Sequence, residues 1–192
     1  MPETWFISDT HFGHKNILEY EKESRPFETI EEMNESIIHR WNSVVGDKDL
    51  VFHLGDVCFG KRYLDSVLPR LKGKKRLVMG NHDTYPSQHY LMYFDKLYGV
   101  VFWERCVLSH MPVHPNGLGA RWLLNVHGHL HSRNVRRTVA TSWDVEFKNT
   151  TVAASIPMFE ENDPNYFNVS CEQNNLTPIN ADVIRERIKE LQ

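Results

Sequence analysis

Residues able to hold a cation recur where apolar runs of this chain stop. Trp5-Phe6-Ile7 is followed by Ser8-Asp9-Thr10-His11, and the run 50–54 by Gly55-Asp56. Leu77-Val78-Met79 is followed by Gly80-Asn81-His82-Asp83, and Cys106-Val107-Leu108 by Ser109-His110. The run 123–126 leads into His127-Gly128-His129-Leu130-His131. Asp9, His11, Asp56, Asn81, His110, His129 and His131 offer oxygen and imidazole nitrogen, with no thiolate among them. Such a set suits Mn, Fe or Zn and argues against a structural zinc site of the cysteine type. These donors are too many for one tetrahedral ion and suit two ions sharing a carboxylate. A pair of ions ~3.5–4 Å apart is an arrangement that promotes in-line displacement at phosphorus. Within Asp9-x-His11 and His129-x-His131, the spacing predicts that both side chains leave one side of an extended segment, as residues i and i+2 do. Asp and Asn also open turns for local hydrogen-bonding reasons, so each residue alone fits a plain loop. Five run-ends of this kind together do not.

The elements that must position these groups are short. The five runs are strand-length and β-favouring, and they lack a clean polar/apolar alternation, which predicts strands buried on both faces. Between the first two lies a helix signal: Ile30, Met33, Ile37, Trp41 and Val44 share a face, Thr29 and Glu32 form a capping box, and Gly46 ends it. Val183, Ile184, Ile188 and Leu191 repeat the pattern over 182–191, while 143–169, with Pro157 and Pro164, reads as strand and loop. Strand, helix, strand with buried strands predicts an α/β fold, whose ligand site lies beyond the carboxyl ends of the strands.

Composition narrows the setting. The 192 residues fit a single domain, 1–192, with no internal repeat or linker. Against 25 Asp+Glu there are 22 Lys+Arg, a net charge of −3 that gives no basis for gripping duplex nucleic acid. No apolar run reaches the ~18–20 residues of a membrane span, and the start has no basic, then apolar, leader pattern. Cys58, Cys106 and Cys171 are few, odd in number and scattered, which predicts free thiols in a reducing, cytoplasmic compartment.

The ordered series Asp9-x-His11, Gly55-Asp56, Gly80-Asn81-His82-Asp83, His110 and Gly128-His129-x-His131 resembles the calcineurin-like metallophosphoesterase superfamily. The opening stretch, Asp9 through His14 to Asn16, is similar to its small single-domain bacterial and phage members. The resemblance implies a four-layer α/β/β/α sandwich and two divalent ions, most readily Mn, with Fe or Zn as alternatives. It implies one ion on Asp9, His11, Asp56 and His131, and a second on Asp56, Asn81, His110 and His129. Asp56 would then be the bridge. It also implies phosphate-ester hydrolysis by a metal-bridging hydroxide, with His82 protonating the leaving oxygen. One departure stands out. Protein phosphatases of the superfamily carry Gly-Asp-x-x-Asp-Arg, whose second Asp orients the catalytic histidine; here Phe59 occupies that place. That points away from the protein-phosphatase branch and leaves the partner of His82 open, with Asp83 only its sequence neighbour.

His14, His114 and Arg133 follow the motifs closely enough to meet a substrate phosphate, as does the Arg136-Arg137 pair. His53 and His127, within apolar runs, read as structural. The expected substrate is a phosphodiester, small and nucleotide-like. The alternatives are a phosphomonoesterase of nucleotides and a non-catalytic binding module on the same fold.

Overall fold

In the computed structural model, which describes residues 1–140 and 158–192, the first three apolar runs become neighbouring parallel strands. These are β1 (Thr4–Ile7), β2 (Leu50–His53) and β3 (Lys74–Val78), connected by α1 (Ile17–Tyr20), α2 (Ile30–Val44) and α3 (Lys61–Val67). There follow α4 (Ser87–Tyr90), β4 (Lys96–Tyr98), β5 (Val101–Trp103), β6 (Cys106–Leu108), α5 (Pro115–Leu118) and β7 (Leu124–His127). The chain ends with β8 (Arg136–Ala140), β9 (Met158–Asn162), β10 (Tyr166–Asn168), β11 (Ile179–Asn180) and α6 (Ala181–Glu190). One sheet runs β11-β1-β2-β3-β4 and a second β10-β7-β6-β5, while β8 and β9 form a separate hairpin. Of the 143–169 segment read as strand and loop, 143–157 lie outside the described residues; β9 and β10 account for strand in the rest.

Strand periodicity divides the apolar residues between two cores. Ile7, Val51 and Leu77 face Met33, Ile37 and Trp41 of α2 and Leu64 of α3. Their neighbours Phe6, Phe52 and Val78 point the other way, onto Leu108, Leu124 and Val126 of the second sheet. Both faces of the first sheet are covered, which is why its runs show no polar alternation. The far face of the second sheet carries Asn125 and Tyr166, and the segment containing α5 lies over it: Asn125 Oδ1 accepts from Val113 N at 2.8 Å and Tyr166 donates to Val113 O at 2.7 Å. The order is helix, sheet, sheet, helix, with a thin fourth layer.

Helix α2 has both halves of its capping box, Glu32 N donating to Thr29 Oγ1 at 3.2 Å and Thr29 N to Glu32 Oε2 at 3.3 Å. It closes at Val45, one residue before the expected Gly46. Helix α6 starts one residue earlier than its apolar pattern suggests, because Asn180 caps it through Asp182 N at 2.9 Å.

Candidate metal centre

The loops leaving β1, β2, β3, β6 and β7 meet, those after β1, β2 and β7 through left-handed backbone. Asp9, His11, Asp56, His129 and His131 have φ between 48 and 68°. The side chains of Asp9-x-His11 and His129-x-His131 therefore converge from tight left-handed turns, not from the extended segments expected from i, i+2 spacing. A non-glycine residue in this region costs about 1–3 kcal/mol and persists only where its surroundings fix it. The surroundings do so here. Asp9 N donates to Gly55 O at 3.0 Å and His11 N to Asp56 O at 3.1 Å. The Asp83 carboxylate accepts from the N–H groups of Asp56, Val57 and Gly80 at 2.8–2.9 Å. Asp83 is thus committed to the backbone of two motif loops and does not orient His82.

Close packing of these loops demands glycine. A Cβ on Gly128 would lie 1.9 Å from Ser8 Oγ and 2.4 Å from Asp9 Oδ2, although its φ is ordinary. Space alone imposes this glycine. Gly128→Ala should cost about 1–3 kcal/mol, lowering the melting temperature by several degrees, and should displace Asp9. Thermal unfolding with metal analysis checks both, and an unshifted transition would contradict the packing argument.

Two donor groups gather across the loops: Asp9, His11 and His131, and Asp9, Asp56 and His110. His11 Nε2 is 3.7 Å from Asp9 Oδ1 and 3.6 Å from Asp56 Oδ2, and His131 Nε2 is 3.8 Å from Asp9 Oδ1. His110 Nε2 is 3.4 Å from Asp56 Oδ2 and 2.9 Å from Asn81 Oδ1. Asp9 belongs to both groups, and Asp56 Oδ2 lies between a histidine of each. The half-buried His129 sits edge-on to His110 at 5.1 Å, with its backbone N–H on Asp9 Oδ2.

The donor set fits a cation. Asp9 Oδ1 and both ring nitrogens of His11 are buried with no hydrogen-bond partner among the described residues, an expensive state for polar atoms. His110 Nδ1 is 2.8 Å from Leu54 O and His131 Nδ1 is 2.9 Å from Glu172 Oε1. Donation there leaves each Nε2 facing the carboxylates, as outer contacts commonly do for metal-binding imidazoles. Without a cation, protons must substitute. Burial would lower the His110 pKa, but the Asp56 hydrogen bond and the Asp9 and Asp56 charges carry it from 6.5 up to about 9. Raised above its unfolded value, it contributes stability to the metal-free fold that is complete below pH ~6.5 and lost as pH rises through ~9. A bound cation displaces that proton. Burial would lower the His131 pKa, but the Glu172 hydrogen bond and the Asp9 and Glu172 charges raise it too, so metal uptake at pH 7.5 should release about one proton per chain or more. Calorimetry in buffers of different ionisation enthalpy measures it; zero release would rule out protonated His110 as the resting state.

Around His82 the departure at Phe59 becomes concrete. Phe59 stacks on His14 at 3.8 Å and 10°, lies 4.8 Å from the His82 ring and 5.5 Å from that of His11. His82 is 46% exposed, its Nε2 is 4.0 Å from Asp56 Oδ2, and its backbone N–H donates to Asp56 Oδ1. An aromatic ring stands beside this imidazole, and among the described residues no carboxylate hydrogen-bonds it.

The expected substrate contacts separate. His14 is in the cluster, but His114 is exposed and caps α5, its Nδ1 accepting from Asn116 N at 3.2 Å. Arg133 lies exposed on the turn after His131, its carbonyl held by Asn168. Arg136 and Arg137 pair with Glu160 and Glu161 across the β8–β9 hairpin, which occupies their charge locally. His53 is structural: Gly55 N donates to its Nδ1, so its Nε2 carries the proton toward Thr10 Oγ1 at 2.9 Å. His127 is also buried, its Nδ1 2.8 Å from Gly128 O.

Sequence reading missed Arg25, Ser170 and Glu172. Arg25 is fully buried, donating to the carbonyls of Asp9 and Thr10 and to Glu172 Oε1, which also meets His131. Ser170 Oγ donates to Asp9 Oδ2 at 2.9 Å. Ser170 and Glu172 follow β10, which is parallel to β7, so the strand-end rule would have found them had that short strand been recognised.

Residues 3–180 match the sequence model of calcineurin-like phosphoesterases. The chain belongs to that family. An uncharacterized protein of Methanocaldococcus jannaschii is 35% identical over 139 residues, covering 70% of this chain and 73% of its own length. The gene 66 protein of Mycobacterium phage D29 is 28% identical over 171 residues, 72% of this chain and 83% of its own. The crystal structure of a protein of unknown function from Aquifex aeolicus superposes with a TM-score of 0.67 at 26% identity, covering 97% of this chain and 99% of that one. As a phosphoesterase-family member with a candidate Asp/His metal site, the chain is suited to divalent-metal binding and phosphoester hydrolysis. Among the described residues no helix is long and apolar enough to cross a membrane.

Proposed function

We propose that residues 1–192 act as a single catalytic domain, a two-metal phosphodiesterase most active with Mn. Asp9, His11, Asp56 and His131 would hold one ion, and Asp56, Asn81, His110 and His129 the other. The observation that carries this reading is the Asp56 carboxylate, whose Oδ2 lies 3.6 Å from His11 and 3.4 Å from His110. Bound divalent ions supply an activated water and charge neutralisation for in-line attack at phosphorus.

The chain's own groups do the rest. His82, exposed above Asp56, delivers a proton to the leaving oxygen, a task suited to imidazole near neutral pH. Its backbone bond to Asp56 Oδ1 couples donor and bridge in one loop contact. Diesters are favoured because a monoester dianion needs additional cationic donors. Arg25 is spent on backbone carbonyls and Glu172, and Arg136 and Arg137 on their hairpin partners. His14, stacked in the cluster, and Arg133, exposed on the turn after His131, are the groups assigned here to a diester's single charge. The free, buried Cys58, Cys106 and Cys171 suit a cytoplasmic setting.

Chelator-stripped protein should lose turnover of bis-p-nitrophenyl phosphate and regain it with Mn²⁺. The diester should be turned over faster than p-nitrophenyl phosphate. Folded protein without activity under any divalent metal would defeat the enzymatic reading, whereas a clear monoester preference would defeat only the substrate assignment.

A further inference from the structure

An apolar groove begins at two of the proposed metal-holding residues. Its lining includes Asn81 and His110 at one end, then Met79, Val100, Met111 and Val113, around a space of about 440 Å³. It lies where the chain passes from β4 of the first sheet to β5 of the second, facing the turn that follows β6. Val100 and Met111 are 46% and 48% exposed, large apolar side chains left at the rim. A Cβ on Gly99 would meet nothing within 4 Å, so the groove is open above it. His110 apart, no ionisable side chain lines it among the described residues.

We infer that this groove is a subsite for an uncharged, flat apolar ester group of the substrate, an aryl ring or a base. The inference rests on the phosphodiesterase reading and deepens it by naming the ester group. Continuity decides the occupant: a phosphate held at Asn81 and His110 has the groove's apolar walls directly beside it. The lining provides nothing for a second phosphate or an ionic side chain. Methionine thioethers adapt to an aromatic face and gain from contact with it.

The test compares methylphenylphosphinate with dimethylphosphinate, two monoanions with no P–O–C bond to hydrolyse, differing in a phenyl for a methyl. Calorimetric titration into protein supplied with Mn²⁺ should show the phenyl compound binding about tenfold tighter. V100D, which places a charge at the rim, and G99W, which fills the opening without a backbone penalty, should each remove most of that difference at unchanged metal content. Phe102, 61% exposed on β5 and outside the groove, provides the control: F102D should keep the preference. Equal binding of the two phosphinates by the wild type, or binding of neither, overturns the subsite. So does a preference that survives both V100D and G99W, including the case where V100D only changes oligomeric state in ultracentrifugation and the rim is a contact with a second copy. A phenyl preference without hydrolysis of any diester keeps the subsite and defeats the enzymatic reading, so the two fail separately.

Discussion

Asp56→Ala should leave a folded chain that retains almost no metal and has lost about a thousandfold or more of its diesterase activity. The expectation follows from how many contacts one carboxylate serves. Oδ2 faces His11 and His110, and Oδ1 accepts the backbone N–H of His82. In the proposed assignment, removing Asn81 or His129 would weaken one ion, whereas removing Asp56 would take a donor from both. The fold should survive, because the left-handed turn at this position is also held by the Asp83 carboxylate on the N–H groups of residues 56 and 57. Metal analysis after gel filtration, with circular dichroism as the folding control, decides it. Asp9 touches both donor groups as well, so Asp9→Ala is the informative comparison. If Asp56→Ala holds wild-type metal while Asp9→Ala does not, the bridge is Asp9.

The candidate metal donors stand where the sequence could show them because the rule that singles them out is local. A polar residue just past one strand end fits a plain turn, but donors past five strand ends at the carboxyl edge mark a shared site. Five apolar runs therefore located β1, β2, β3, β6 and β7. Strands β4, β5 and β10 are three residues each and β11 two; β6 is as short, but its three residues are all buried, whereas β4 and β5 mix in exposed positions and form no clear apolar run. Their pairing is set by tertiary contact. The route by which side chains converge was also illegible, since five left-handed residues look in sequence like any Asp or His. Arg25 and Glu172 stand 147 positions apart and carry no shared local pattern. Such a buried ion pair exists only because the fold closes, and its likeness to a surface Arg or Glu hides it. Phe59 was visible as a departure, yet what replaces the missing carboxylate depended on seeing its ring among His11, His14 and His82.

His82→Ala should keep metal content near wild type while cutting turnover of substrates with poor leaving groups by about 10²–10⁴-fold. The residue contributes a proton and no metal-facing atom in the proposed assignment, so binding and chemistry separate. A p-nitrophenolate leaves without much help, whereas an alkoxide does not. The loss should therefore grow with leaving-group basicity, a slope that mere unfolding or metal loss would not produce. Phe59 acts through His82 and should reproduce the slope in weaker form. Phe59→Leu removes the flat surface beside the imidazole but keeps an apolar side chain, so turnover of alkyl esters should fall more than that of aryl esters. Phe59→Tyr keeps the ring and should restore the wild-type slope. Should Phe59→Leu change all substrates equally, the ring is only packing; should His82→Ala do so, the proton is delivered by another group and the position of His82 above Asp56 serves phosphate binding instead.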